Sequence, residues 1–181
     1  MSDFKAPGDI PRVWFGSVAW QPVGHVWVAA GEKGVVRVSL GGDEESFRSL
    51  FEGTGAVLAE SMSRGAGRCE EALEQLQEYF VGERRYFSLA LDTGVTSRFA
   101  SRVIAELREV AFGELLTYGE LAKRCGRPRA ARAVGRVMAA NPVPVFIPCH
   151  RVVAKSGPGG FGPGLMVKSA LLRLEGRRLP G

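Results

Sequence analysis

Apolar residues repeat with one period up to about residue 93 and with another from Ser97 onward, and this change decides the architecture. Val13 to Val18, Val26 to Ala30 and Val35 to Leu40 are short runs rich in β-branched and aromatic residues, which reads as strands. Gly31 to Gly34 sits between the last two and reads as a hairpin connection. Glu70 to Phe80 places Leu73, Leu76 and Phe80 at helical spacing and stops near Gly82. Tyr86 to Leu91 reads as a further strand. Beyond Ser97 the character becomes helical, with Phe99, Val103, Leu107 and Val110 close to one face. The expected class is α+β: a small N-terminal α+β domain over residues 1–93 and a mainly helical domain over 97–181. Gly94 to Thr96 is the linker.

The second half carries a local signature. Thr117-Tyr118-Gly119-Glu120 has capping-box spacing, so Thr117 starts a helix and Glu120 reaches back to it. That helix runs to about Cys125 and stops at Gly126-Arg127-Pro128. Another follows from Arg129 to Ala140, ending before Asn141-Pro142. Two short helices around a Gly-containing turn describe a helix-turn-helix. The second helix sets Arg129, Arg132 and Arg136 among Ala130, Ala131, Ala133 and Gly135. Small residues allow close backbone approach and arginines bring positive charge, which suits DNA; tight helix packing with a solvated arginine face is the alternative.

Charge points the same way without settling it. Residues 98–181 carry 15 Lys/Arg against 5 Asp/Glu, whereas residues 1–97 carry 9 against 14. The halves therefore hold +10 and −5 of the overall +5. A basic half suits a polyanion, although a solvated basic surface fits equally. The 181 residues, 45% hydrophobic, suffice for a real core. Their longest apolar runs are broken by Gly, Pro or Lys, so no membrane span is expected. Met1 to Pro11 lacks the apolar core of a signal peptide. Cys69, Cys125 and Cys149 are odd in number and without CxxC spacing, which favours a reducing, intracellular setting. With His25 and His150 scattered, no metal site is expected.

The reactive segment is Asn141-Pro142-Val143-Pro144-Val145-Phe146-Ile147-Pro148-Cys149-His150-Arg151-Val152-Val153. Its prolines make it rigid and extended, and its apolar residues bury it. A cysteine beside a histidine is a candidate nucleophile, because the thiolate is the reactive form and an imidazole can take its proton. A small buried core cysteine is the plainer alternative. Neighbours on an extended chain point to opposite sides, so a bridging water is the expected proton path.

Ile147-Pro148-Cys149-His150-Arg151-Val152-Val153 resembles the signature of the O6-alkylguanine-DNA alkyltransferases. Ala130-Ala131-Arg132-Ala133-Val134-Gly135, Asn141-Pro142-Val143-Pro144 and Leu171-Leu172-Arg173-Leu174-Glu175-Gly176 resemble that family in the same order and spacing. The likeness is close over about residues 98–176 and looser before, where it includes Glu78-Tyr79-Phe80-Val81-Gly82. It implies an RNase H-like N-terminal domain and a single-turnover DNA repair enzyme without a cofactor. An alkyl group passes from O6 of guanine to Cys149, and the resulting thioether inactivates the protein. By the same resemblance His150 is a general base acting through water, Glu175 orients it, and Asn141 braces the segment. Tyr118 crowds the extruded nucleotide, Arg132 fills the gap in the stack, and Ala130, Ala131 and Gly135 permit approach to the minor groove. Met138, Pro144, Val152 and Phe161 form the pocket wall. The implied partner is double-stranded DNA carrying O6-alkylguanine, with O4-alkylthymine as an alternative lesion. The implied protein is a monomer, with no membrane, in the cytoplasm of a bacterial or archaeal cell or the nucleus of a eukaryotic one.

Two positions depart from the family. Phe161 stands where tyrosine is usual, and Pro163-Gly164 stands where two small residues are usual. A non-enzymatic relative that only flags damage would lack the cysteine. A plain helix-turn-helix regulator would leave Cys149, His150 and Glu175 unexplained as a set.

Overall fold

The computed structural model describes residues 12–60, 67–95 and 97–180. Met1 to Pro11 and the last linker residue, Thr96, lie outside the described residues. The first half is a four-stranded sheet with helices on both faces. Strands β1 (Arg12–Trp20), β2 (Gly24–Gly31) and β3 (Gly34–Leu40) form an antiparallel meander. A short strand β4 (Val57–Glu60) joins β1 in parallel, giving the order β3-β2-β1-β4. The central strand β2 buries Val26 through Ala30 without interruption, because both of its faces are covered. On one side Trp27 and Ala29 pack with Val13, Phe15 and the Phe47 of helix α1 (Glu44–Ser49). On the other, Val26, Val28 and Ala30 meet Cys69, Ala72, Leu76 and Tyr79 of helix α2 (Gly67–Phe80).

The expected strand Tyr86 to Leu91 does not form. That stretch follows α2 instead: Ser88 N–H donates to Gln75 Oε1 at 3.0 Å, and Phe87 packs on Tyr79 and Phe146. Its end alone hydrogen-bonds to the sheet: Val35 N–H of β3 donates to Ala90 O at 2.9 Å, and Leu91 forms a parallel bridge to Val35. Helix α1 and strand β4 had no counterpart in the sequence reading.

Helix α3 (Arg98–Arg108) opens the second half, capped by Ser97, whose Oγ accepts from Ala100 N–H. Val103 and Leu107 on its inner face join the same core as β2 and α2, so one core runs through both halves. Helices α4 (Tyr118–Arg124) and α5 (Ala131–Ala139) follow as the expected pair. Thr117 and Glu120 form a complete capping box at the start of α4. The second helix is shorter than expected: Arg129 and Ala130 lie before it, with Ala130 at the N-cap position and no side chain capping it. Strand β5 (Leu116–Thr117), just before α4, pairs in parallel with β6 (Val152–Val153), which follows α5, and helix α6 (Leu165–Leu174) comes after β6.

The β5–β6 ladder places the site. It fastens the start of α4, with Tyr118, alongside the chain leaving Cys149. From the other half, the Val38 N–H of edge strand β3 donates to Pro142 O at 2.8 Å, so the first sheet holds the opposite end of the same segment.

Candidate active site

Residues 141–151 are a folded loop rather than the extended stretch expected from the prolines. Ile147 N–H donates to Val143 O, Cys149 N–H to Ile147 O and Arg151 N–H to Pro148 O, and Cys149–Arg151 is a single 3-10 turn. Val145 takes φ 77°, a conformation costly for a β-branched residue. Proline fixes φ only at its own positions, so it stiffens the loop without straightening it. The loop is braced by Asn141. Its Oδ1 accepts from Val143 N–H at 3.1 Å, and its Nδ2 lies 3.1 Å from Ile147 O and 3.2 Å from Cys149 Sγ.

Cys149 borders a cavity of about 410 Å³. Met138, Asn141, Pro144 and Phe161, all expected at the site, also line it, as does Pro163. The opposite wall comes from the first half: Arg37, Ser39 and Leu40 of β3, and Leu50 at the end of α1. The sequence reading found no chemical role in that half, and nothing in its local pattern marks these four residues. Cys149 is 5% exposed. Burial pushes it up to about 11, against the opposing pull of the Asn141 amide and the charge of Lys168. A thiol so placed is neutral at physiological pH and needs a proton acceptor before it attacks.

Behind Cys149 the polar groups converge on one carboxylate. His150 is fully buried, and its Nε2 lies 2.9 Å from Glu175 Oε1. Arg151 donates through Nε and Nη2 to the same carboxylate and through Nη1 to Val110 O. Gly113 N–H donates to Oε2 at 3.0 Å, and Tyr79 O–H to Oε1 at 2.7 Å. Burial by itself would raise Glu175, but hydrogen bonds from His150 and Arg151, together with the Arg151 charge, hold it well below the usual carboxylate range. An ionised carboxylate only accepts, so His150 Nε2 carries the proton. The other ring nitrogen, Nδ1, is buried with no partner among the described residues. Burial lowers His150 below its ordinary 6.5, despite the pull of Glu175, which keeps the ring neutral and Nδ1 free to accept a proton.

Three of these groups escaped the sequence reading. Tyr79, Lys168 and Gly113 each act from outside the signature segment. Tyr79 and Lys168 fall on the buried stripes of α2 and α6, where a polar residue among apolar neighbours was the available signal. Lys168 is 0% exposed, and its Nζ donates to Val152 O at 2.6 Å, Pro158 O at 2.7 Å and Gly160 O at 3.3 Å. Burial lowers it to about 8. It gathers the loop over residues 152–160 onto α6. Gly113 has φ 75°, and a Cβ there would stand 2.9 Å from Glu175 O, so no larger residue fits without a backbone shift.

The remaining expected residues lie around this centre. The Tyr118 hydroxyl oxygen accepts from Gly160 N–H at 3.2 Å, and the ring lies 3.7 Å from where a Cβ of Gly135 would be. Arg132 is exposed on α5, with Ala130 and Ala131 half-buried at that helix's start. Val152 is fully buried in β6 and does not line the cavity. The Phe161 ring stands edge-on to His150, centroids 6.4 Å apart.

No helix among the described residues is long and apolar enough to cross a membrane. Residues 17–93 match the family model of the 6-O-methylguanine DNA methyltransferase ribonuclease-like domain, and residues 98–177 that of the DNA binding domain. The methylated-DNA–protein-cysteine methyltransferase of Methanosarcina acetivorans is 36% identical over 155 residues, which is 83% of this chain and 99% of that one. The constitutive methylated-DNA–protein-cysteine methyltransferase of Bacillus subtilis is 34% identical over 88% of this chain and 93% of its own. The crystal structure of Mycobacterium tuberculosis OGT in complex with DNA superposes with a TM-score of 0.73 and 31% identity, covering 94% of this chain and 96% of that one. Both domain models match in order and the first relative aligns along almost its whole length, so the chain belongs to the 6-O-methylguanine DNA methyltransferase family.

Proposed function

We propose that this chain repairs duplex DNA by taking an alkyl group from O6 of guanine onto Cys149, once per molecule. The observation that carries the reading is a neutral histidine, held by a buried carboxylate through Nε2, directly following a cavity-lining cysteine. The cysteine thiol gives its proton through a bridging water to Nδ1 of His150, and Sγ attacks the alkyl carbon in line. The new S–C bond forms as the C–O6 bond breaks, and the electron pair stays on the guanine oxygen. The proton finally rests on the base, which leaves as ordinary guanine. Glu175 stabilises the transient imidazolium, and Asn141 holds Sγ in line. The product thioether has no route back, so the protein is consumed.

The target lies inside a base stack, so the nucleotide must be turned out to reach the cavity. Exposed Arg132 occupies the space left in the stack, and Tyr118 crowds the extruded nucleotide. Ala130, Ala131 and Gly135 let α5 approach the minor groove, while Met138, Pro144 and Phe161 shape the pocket. The two domains divide at residues 94–96. The protein acts as a monomer wherever the cell keeps its DNA, which is the cytoplasm in bacteria and archaea.

The test is incubation with an oligonucleotide duplex carrying O6-methylguanine, followed by mass measurement of the intact protein and its peptides. One methyl group per molecule, on the peptide holding Cys149, is expected, with none taken up by Cys149→Ser. Repeated turnover, or an adduct on Cys69 or Cys125, contradicts the reading.

A further inference from the structure

Glu175 belongs to the helical domain, yet one of its donors comes from the other. Tyr79 stands in the last turn of α2, is 0% exposed, and donates its O–H to Oε1 at 2.7 Å across 96 residues of chain. The same oxygen accepts from His150 Nε2 at 2.9 Å. The hydroxyl and the imidazole therefore draw on one atom. The tyrosine ring is fixed by its neighbours: Phe80 and Phe112 meet it edge-on, at 5.6 Å and 6.0 Å between centroids, and Phe87 at 5.3 Å. A hydroxyl so caged has one place to point.

We propose that Tyr79 is a positioning residue that tunes His150 through Glu175, so that the N-terminal domain sets the strength of a base lying in the other domain. The inference rests on the reading of His150 as the proton acceptor for Cys149. The physical argument is a competition. Each donor to Oε1 takes a share of its negative charge, and what Tyr79 takes is withdrawn from the imidazole. Without the hydroxyl, Oε1 pulls harder on the His150 N–H and favours the imidazolium. The carboxylate is not orphaned by the loss, since Arg151 and Gly113 still donate to it. Burial and the adjacent carboxylate both keep Tyr79 protonated, so it remains a donor at any physiological pH.

Tyr79→Phe keeps the ring and removes only the donor. The chain contains two histidines, and His25 is exposed, so the imidazole signals of His150 can be assigned and followed by NMR. The His150 midpoint should rise by roughly half a unit to one unit in the variant, and the acid limb of the alkyl-transfer rate should move with it. At a pH below that midpoint the rate should fall about three- to tenfold, while the plateau at higher pH changes little. At neutral pH the Nε2 proton should move downfield as its bond to Glu175 strengthens, a readout that needs no titration. A 3-fluorotyrosine at position 79, a stronger donor of nearly the same shape, should move both signals the opposite way and serves if the phenylalanine variant folds poorly. An unchanged midpoint and unchanged Nε2 proton in these proteins overturn the proposal. Failure of the wild-type protein to accept an alkyl group at all would instead count against the reading of the reaction.

Discussion

Phe161 faces the reacting groups with a ring and no hydroxyl. Where the family resemblance leads one to expect tyrosine, phenylalanine keeps an aromatic ring on the cavity wall and, under the proposed reaction, supplies no donor toward the departing oxygen. A single hydrogen bond is worth about 0.5–1.5 kcal/mol net, or roughly two- to twelvefold in rate if it forms only in the transition state. Phe161→Tyr should therefore raise the single-turnover rate on methylated duplex by up to about tenfold. An unchanged or lower rate would mean the missing hydroxyl does not limit the reaction. The Phe161 ring lies edge-on to His150. Lys168 shows the cost of such precision. A fully buried ammonium is tolerated because three carbonyls receive its protons, and those carbonyls fix the loop that carries Phe161.

The paired helices α4 and α5 carry the argument for DNA. Arg132 is solvent-exposed on α5, away from the buried chemistry. Arg132→Ala should slow repair in duplex DNA far more than reaction with free O6-alkylguanine base, because only the duplex must be opened. Equal losses on both substrates would assign Arg132 to the fold or the chemistry. These helices were legible in the sequence because their signals are local: Thr117 and Glu120 stand three residues apart and cap the same turn. The first three strands were legible for the same reason. Helix α1 was not, since its six residues hold one buried side chain, Phe47, and offer no apolar period. Strand β4 pairs in parallel with β1 from a distance and leaves two of its four residues exposed. Tyr86 to Leu91 has strand composition but is claimed by Gln75, a tertiary contact that propensity cannot register. In the site, Cys149, His150 and Glu175 were identified from a family signature, whereas Arg37 and Leu50 were invisible because only the folded chain brings them near, and Tyr79, polar on an apolar stripe, shows its partner only in the fold.

At the scale of the whole molecule, one core and one buried carboxylate join the two domains. This gives stability a definite dependence on pH. Glu175 is held below its ordinary 4.5 in the folded state, so its ionised form favours folding above that value and the contribution is lost as pH falls below it. His150 is held below its ordinary 6.5, so the unfolded chain takes up that proton first and acidification again favours unfolding. Both act with the same sign. Thermal midpoints should fall as pH drops below about 6.5, where His150 acts, and fall further below about 4.5, where Glu175 acts, in one transition shared by both domains. A flat profile, or two separate transitions, would show that the network does not couple them. The same carboxylate has a consequence for the order of events in the cell. Glu175 is translated after Cys149, after Tyr79 and after every other donor it gathers, and a ribosome releases the chain from one end only. Until that residue has emerged and docked, the nascent protein owns a cysteine without a working base. Under the proposed reaction, the capacity to accept a lesion thus arises only after Glu175 has been made, later than the cysteine itself.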